Sequence, residues 1–200
     1  MRLLTKMAAM ASALAVTGCG RRRGGGKPPA TLYSITAEAA EPGSIARSAA
    51  PGQAVTIGTP AVARELGTVR VPVQVTPTNV EYVAKMQLVD TPPNLFAKLL
   101  AETVRRTTNR IVLDAGQATL DPGLVVNGTL QRFGYDAATG QVIVTYDGAL
   151  STNGGNRVET RRFTATAPAD GTAGTVGPAL NRAANQVARD VAQWIGSSGA

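Results

Sequence analysis

Three long extended segments in the second half of the chain constrain its fold more than any other feature. They span residues 124–135, 141–150 and 157–166. The sequences between them, 136–140 and 151–155, are short and rich in Gly, Asn, Asp, Ser and Thr, as in hairpin loops. In the middle segment Val142, Val144 and Tyr146 alternate with residues of the opposite face, which carries less apolar bulk. The pattern predicts an antiparallel meander with one buried face.

Two segments with helical periodicity flank this meander. The first, 93–108, begins at Pro93, which suits a first helical position because its missing N–H costs nothing there. The second, 176–195, places apolar residues on one stripe through about five turns. Because each helix has one apolar face, we predict an α+β fold in which an antiparallel or mixed β-sheet is covered by two main amphipathic helices.

The first half of the chain predicts shorter strands. Residues 31–36 alternate like a first strand, and 37–53 are typical of a long exposed loop. Further extended segments are expected at 55–57, 69–75, 81–83, 86–89 and 110–113. Pro72 lies within the regular alternation of 69–75 and has no N–H to donate. That strand is therefore expected at an edge, or paired on one side at the proline.

The N-terminus is typical of a secreted lipoprotein. Arg2 and Lys6 precede an uncharged apolar run, and the only cysteine, Cys19, follows Gly18. We predict a signal peptide over 1–18, a lipidated flexible tether over 19–30, one domain over 31–196 and a frayed tail over 197–200. Cys19 is the expected lipidation site, carrying diacylglycerol and a further acyl chain such as palmitate. An uncleaved anchor, or an ordinary signal with an incidental cysteine, is the alternative.

The positive charge of the chain is concentrated beside Cys19. Without the signal peptide, 18 basic residues stand against 13 acidic ones, and four of the basic residues lie within 21–27. The rest of the chain is nearly neutral, so the high isoelectric point does not predict a nucleic-acid partner. The basic cluster either attracts anionic lipid head groups or keeps a solvated spacer extended. Gly20, rather than Asp, after Cys19 favours sorting to the periplasmic face of the outer membrane.

Few residues are suited to catalysis. The chain has no histidine, and its one cysteine is assigned to lipidation, which removes His-based acid–base chemistry, thiol nucleophiles and most zinc sites. Two carboxylate pairs, Asp136 with Asp147 and Asp90 with Asp114, keep a hydrolase as a minor alternative. Asp136 is more typical of a turn residue and Asp90 of a residue that starts a helix. We therefore predict a non-enzymatic protein with no metal and no cofactor.

Several segments in this order resemble the auxiliary lipoproteins of ABC transport systems, in particular the paraquat-inducible protein C-like components that accompany mammalian-cell-entry (MCE) transporters. Besides Cys19, the likeness is carried by 32–35, 69–74, 81–83, 87–100, 128–133, 161–163, 183–188 and 190–194. Family members often have Trp where this chain has Leu88. Leu88 can replace that aromatic residue if its role is to fill the core, but not if it contacts a partner.

The resemblance implies a periplasmic, lipid-anchored auxiliary component of an MCE-type ABC transporter, which moves lipids between membranes. Its expected partners are the membrane, an MCE-domain protein and the permease and ATPase components, and homo-oligomers are possible. The candidate interface residues are Pro72, Leu88, Asp90, Pro92 and Pro93. A scaffold or assembly lipoprotein of another envelope machine is the main alternative.

The anchor assignment predicts the behaviour of Cys19→Ala. Without the thiol no diacylglycerol is attached, so the variant is expected to leave the membrane fraction or to retain its signal peptide. Detergent phase partitioning and intact-mass measurement report these two outcomes. Normal partitioning of the variant would contradict the assignment.

Overall fold

The computed structural model describes residues 31–43, 52–114, 116–117, 121, 123–152 and 155–197. The predicted signal peptide, the tether with Cys19, and residues 198–200 lie outside this part of the chain. The described helices and strands, in chain order, are β1 (Val55–Ile57), β2 (Ala61–Val62), β3 (Pro72–Thr76), β4 (Asn79–Tyr82), α1 (Pro92–Thr107), β5 (Val112–Asp114), β6 (Leu124–Asp136), β7 (Gln141–Thr152), β8 (Arg157–Pro168) and α2 (Ala173–Ser197).

The predicted meander is confirmed as β6, β7 and β8. β7 is antiparallel to β6 from Val125 opposite Ser151 to Asp136 opposite Gln141. β8 continues the ladder on the other side of β7 along its whole length. The turn after β6 includes Gly140 at φ +67°, a left-handed conformation that glycine adopts without strain.

The other side of β6 is occupied by three short strands in series. β1, β2 and β3 each run parallel to β6, in the registers Val55 with Leu124, Ala61 with Thr129 and Val73 with Tyr135. β5 adds to β1 in parallel, and β4 adds to β3 antiparallel. The sheet is therefore mixed, and the predicted α+β class is confirmed.

The edge position expected for the strand of Pro72 is wrong. β3 lies between β4 and β6 and is paired on both sides. Pro72 itself is opposite Tyr82 of β4, whereas the pairing with β6 begins one residue later, at Val73. The register instead matches the alternative prediction, one-sided pairing at the proline. Pro72 lacks the N–H that a second ladder needs.

Both helices pack on one face of the sheet, and their bounds differ little from the predicted ones. α1 begins one residue earlier than expected, at Pro92, and α2 three residues earlier, at Ala173. Asp170 explains the earlier start of α2, because its carboxylate accepts the Thr172 N–H at 2.9 Å and both the Thr172 and the Thr175 hydroxyl. Among the described residues, no helix is both long and apolar enough to cross a membrane.

A pair of glycines makes room for the largest core side chains. Gly128 of β6 is opposite Gly148 of β7, and the Tyr146 ring lies over Gly128 while the Trp194 ring of α2 lies over Gly148. The Tyr146 hydroxyl donates to the Asn127 carbonyl at 3.0 Å, and burial raises the pKa of this phenol. A side chain at Gly128 would clash with the Asp147 carbonyl, so the packing requires glycine there.

The first predicted strand is not a strand of the sheet. Residues 33–41, which we call the N-terminal strap, lie along α2 with only one backbone bridge, between Tyr33 and Leu88. Side-chain amides of α2 make the hydrogen bonds to the strap backbone that a neighbouring strand would otherwise make. Asn181 accepts the Thr36 N–H at 2.9 Å, and the Asn185 amide accepts the Glu38 N–H and donates to the Thr36 carbonyl, both at 2.8 Å.

The strap also contacts α1. The Arg106 guanidinium donates to the Ala39 carbonyl at 2.8 Å and pairs with Glu41 at 3.0 Å. The side chain of Ile35 is buried in the core. The strap is thus bound to both helices, by polar contacts and by one buried side chain.

The amide of Asn185 is expected to be a main source of strap stability. Asn185 is 1% exposed, so Asn185→Ala leaves the Glu38 N–H without its acceptor and should lower the free energy of unfolding by about 2 kcal/mol. Urea denaturation measures this change. Asn181→Ala is the matched control, because the hydrogen bonds of its amide are exposed to solvent and water can replace them. An equal or smaller effect of Asn185→Ala would contradict the role assigned to it.

Candidate docking surfaces

Four of the five predicted interface residues lie together where the chain enters α1. Leu88 is 2% exposed, and its N–H donates to the Val69 carbonyl at 2.7 Å. Pro92 and Pro93 are both buried in the first turn of the helix. The burial of Leu88 favours the core-filling explanation for the replacement of Trp. An interface role of these three residues stays a prediction.

Asp90 is the partly exposed residue of this group. Its carboxylate accepts the Thr91 N–H at 2.7 Å, the Asn94 amide at 3.0 Å and the Lys98 ammonium at 2.9 Å. These hydrogen bonds, that of Asn94 first, lower the pKa of Asp90 to about 2. A negative charge just before a helix also stabilises the N-terminal end of its dipole. Asp90 therefore fixes the start of α1, as the sequence predicted.

Pro72 is half-buried at the start of β3. Val71, beside it, accepts the Val83 N–H at 2.9 Å, and the same extended segment continues to Val69, the partner of Leu88. A side chain on Gly134 would clash with the Pro72 carbonyl. Pro72 is thus in close contact with β6, and its interface role also stays a prediction.

The longest strand edge without a strand partner in the described part of the chain lies elsewhere, on β8. Within the described part of the chain β8 pairs with β7 alone, so one edge of this 12-residue strand has no strand partner. Its second half turns Phe163, Ala165 and Ala167 toward the helices, whereas residues 160–162 are exposed. This edge was not among the predicted interface positions. The sequence does indicate it, because the last strand of a predicted meander has only one neighbouring strand within the meander.

A groove of about 420 Å³ lies beside β8, between the strand and the C-terminal half of α2. The Arg161 guanidinium lies 5.3 Å from the centre of the Phe163 ring, which in turn is 5.5 Å from the Trp194 ring. Arg157 and Arg162 form ion pairs with Glu159 and Asp147. Among the described residues no carboxylate lies within ion-pairing distance of Arg161. The groove therefore combines an available cation, an aromatic wall and an open strand edge.

The carboxylates considered for hydrolysis do not form the predicted pair. Asp147 is opposite Thr129, and Asp136 lies seven residues further along β6. At about 3.3 Å per residue the two are roughly 20 Å apart, beyond the roughly 5–10 Å used by glycosidases. The pKa of each is lowered, first by the hydrogen bond from Arg132 to Asp136 and from Arg162 to Asp147.

The other carboxylate pair is divided by a helix. Asp90 precedes α1, whereas Asp114 lies in β5, which follows the other end of that helix. Within the described residues no group of three or more Cys, Asp and Glu side chains is placed to hold a metal ion.

Comparisons with known proteins identify a family. A family model described as "ABC-type transport auxiliary lipoprotein component" matches residues 33–192. A search of curated proteins returns no match. Among solved structures, a Xanthomonas campestris protein assigned to family DUF330 is similar, with 18% identity and a TM-score of 0.70, covering 84% of this chain and 96% of that one. A second, described only as an uncharacterized protein, has 14% identity and a TM-score of 0.60, covering 82% and 99%. These two likenesses concern the fold.

The hydrogen bonds of Asp90 predict a pH-dependent stability of α1. Because its folded pKa of about 2 is below the roughly 3.9 of an unfolded Asp, its contribution is complete above about pH 4 and is lost as the pH falls toward 2. Asp90→Asn should therefore lower the urea midpoint at pH 7, and the difference from the natural chain should close near pH 2.

Asp114→Asn is the control for this prediction, because Asp114 is exposed and its carboxylate has no hydrogen-bond partner among the described residues. A gap between Asp90→Asn and the natural chain that persists at pH 2 would show that the charge of Asp90 is not what stabilises the helix.

Proposed function

Because the chain belongs to the family of ABC-type transport auxiliary lipoprotein components, we propose that it is a non-enzymatic, lipid-anchored component of an MCE-type transporter that moves lipids between membranes. The observation that carries the proposal is the extent of the family match, which runs from the strap to the last turns of α2. The MCE system, the outer-membrane location and the docking role go beyond the family description and are proposed here.

Membrane attachment is assigned to Cys19, with Gly20 directing the protein to the periplasmic face of the outer membrane. Residue 33, where the family match begins, follows Cys19 by 14 positions. A chain of that length reaches at most about 50 Å. An anchor at Cys19 therefore keeps the domain beside the membrane while leaving it a limited range of positions.

Docking to the transporter is assigned to the open edge of β8 and the groove beside it. An unpaired edge offers backbone donors and acceptors to an extended segment of a partner, and the neighbouring groove can select its side chains. Arg161 favours a partner segment that carries a carboxylate, since an ion pair that is shielded from water contributes more than an exposed one. The four charged residues within 157–162 also discourage pairing with an uncharged strand.

The carboxylates that were considered for hydrolysis support the non-enzymatic role. Asp90, Asp136 and Asp147 each form an ion pair with a neighbouring Lys or Arg and contribute to a helix start, a turn or the sheet surface. A structural role therefore accounts for each of these three carboxylates. The groove beside β8 contains Asp190, whose carboxylate accepts from the Gln186 amide at 2.9 Å.

Site-specific crosslinking in cell envelopes tests both the function and its location. A photo-crosslinking residue at Thr160, exposed on β8, should recover an MCE-domain or permease subunit, identified by mass spectrometry. The same residue at Arg182, exposed on α2, is the control and should recover neither. Adding Arg161→Glu should reduce the product at Thr160 by about tenfold or more, because it reverses the charge offered to the partner.

Each alternative gives a different result. Recovery of a subunit of another envelope machine would replace the transporter by the scaffold role. Recovery of transporter subunits from Arg182 alone would keep the role but move the docking surface away from β8. If neither position recovered a transporter subunit, the proposed function would be withdrawn.

A further inference from the structure

We propose that Leu32 and Val89 form a lipid-contacting patch, which seats the domain on an anionic membrane surface. The proposal rests on the lipid anchor proposed above and adds an orientation to it. The patch is formed by a described part of the chain, so it can be tested separately from the anchor.

Leu32 and Val89 are exposed although both are large apolar residues. Each is 50% exposed, and among the described residues only Val80 and Val158 are comparable. Scattered exposed apolar residues are common and need no explanation. Two that share one face, diagonally across the Tyr33–Leu88 bridge and next to a segment attached to a lipid anchor, form a coincidence that does need one.

The bridge between the strap and the segment before α1 places the two side chains on one face. The Tyr33 N–H donates to the Gln87 carbonyl, and the Val89 N–H donates to the Tyr33 carbonyl, both at 2.9 Å. Successive side chains of extended segments point to opposite faces. Since Tyr33 and Leu88 are directed inward, over Gly177 and into the core, their neighbours Leu32 and Val89 face outward together.

The position of the patch in the chain identifies the membrane as its occupant. Leu32 follows Cys19 by 13 residues, which span at most about 45 Å when fully extended. Of the four large exposed apolar residues it is the nearest in sequence to the anchor. An anchored chain therefore holds this patch near the bilayer at a high local concentration, so even weak lipid contacts are populated.

The charges around the patch are compatible with anionic lipid. Asp90, the carboxylate next to Val89, is already bound by Lys98 at 2.9 Å. Lys85, which is exposed, precedes Val89 by four residues in the chain. Arg21, Arg22 and Arg23 lie between the patch and Cys19 in the sequence. Basic residues close in sequence to an exposed apolar pair suit the boundary between anionic head groups and acyl chains.

Environment-sensitive fluorescence on the lipidated, full-length protein tests the proposal. Lipidation consumes the Cys19 thiol, so Val89→Cys provides a single thiol for an NBD probe. On vesicles of phosphatidylethanolamine and phosphatidylglycerol we expect a several-fold rise and a blue shift of the emission. Adding Leu32→Asp should reverse most of the rise while the protein remains bound to the vesicles.

Val158→Cys is the matched control. Val158 is 61% exposed and lies near the start of β8. It is ten residues, or about 33 Å, from the other end of that strand, after which the chain continues to α2. Its probe should not change on vesicles. The proposal is overturned if positions 89 and 158 respond alike while the protein is vesicle-bound, or if position 89 is shielded in cell envelopes but not on vesicles, which would assign the patch to a protein partner.

Failure of the anchor has a separate signature. If Cys19 is not lipidated, the natural chain itself takes up the NBD probe and does not sediment with the vesicles. That result overturns the anchor and, with it, the orientation argued from the anchor. A lipidated protein that sediments normally but shows no change at position 89 overturns the patch alone.

Discussion

β6 is the strand on which the rest of the fold depends, because it is paired on both edges and connects the N-terminal strands to the meander. β7 occupies one edge, and β1, β2 and β3 follow one another along the other. The N-terminal strands are too short to be stable alone, since three or more strands with a buried face are needed. They are ordered by pairing with β6, which is distant in the sequence. In the pair Val73 and Tyr135, for example, the two residues are more than sixty positions apart. The two helices then cover the one face on which the Gly128–Gly148 pair has made room for aromatic rings.

The elements that could be predicted from the sequence are those whose signal is local. The alternation of Val142, Val144 and Tyr146 and the turn before Gly140 are sufficient for the meander, and the apolar stripe of α2 is sufficient for its length. The strap was predicted as a strand because alternation indicates an extended backbone but not its partner. The amides of Asn181 and Asn185, about 145 residues away, are that partner, and no local pattern distinguishes them from other polar residues of a helix.

The candidate docking residues illustrate the same distinction. Pro72 correctly indicated one-sided pairing, but the choice between an edge and an interior strand depends on β4 and β6, which the proline does not specify. Leu88 and Pro93 were singled out within a segment that resembles a family, and such segments contain core residues as well as surface ones. The structure buries both residues. The surface that offers backbone groups to a partner is instead the free edge of β8. It follows from the order of the strands, because β8 is the last strand of the meander.

The strap and the open edge lie on different sides of α2, which gives the proposed function a geometric basis. Asn181, Asn185 and Arg189 hold the strap, whereas Asp190, Gln193 and Trp194 face the groove beside β8. At about 100° per residue the centres of these two sets are separated by roughly 130° around the helix. If the chain is anchored through Cys19, the pull of the tether acts on the strap and is resisted by the α2 amides and by Arg106 of α1. The β8 edge is not part of this attachment, so one helix can connect the membrane side of the domain to its docking side without the two contacts competing.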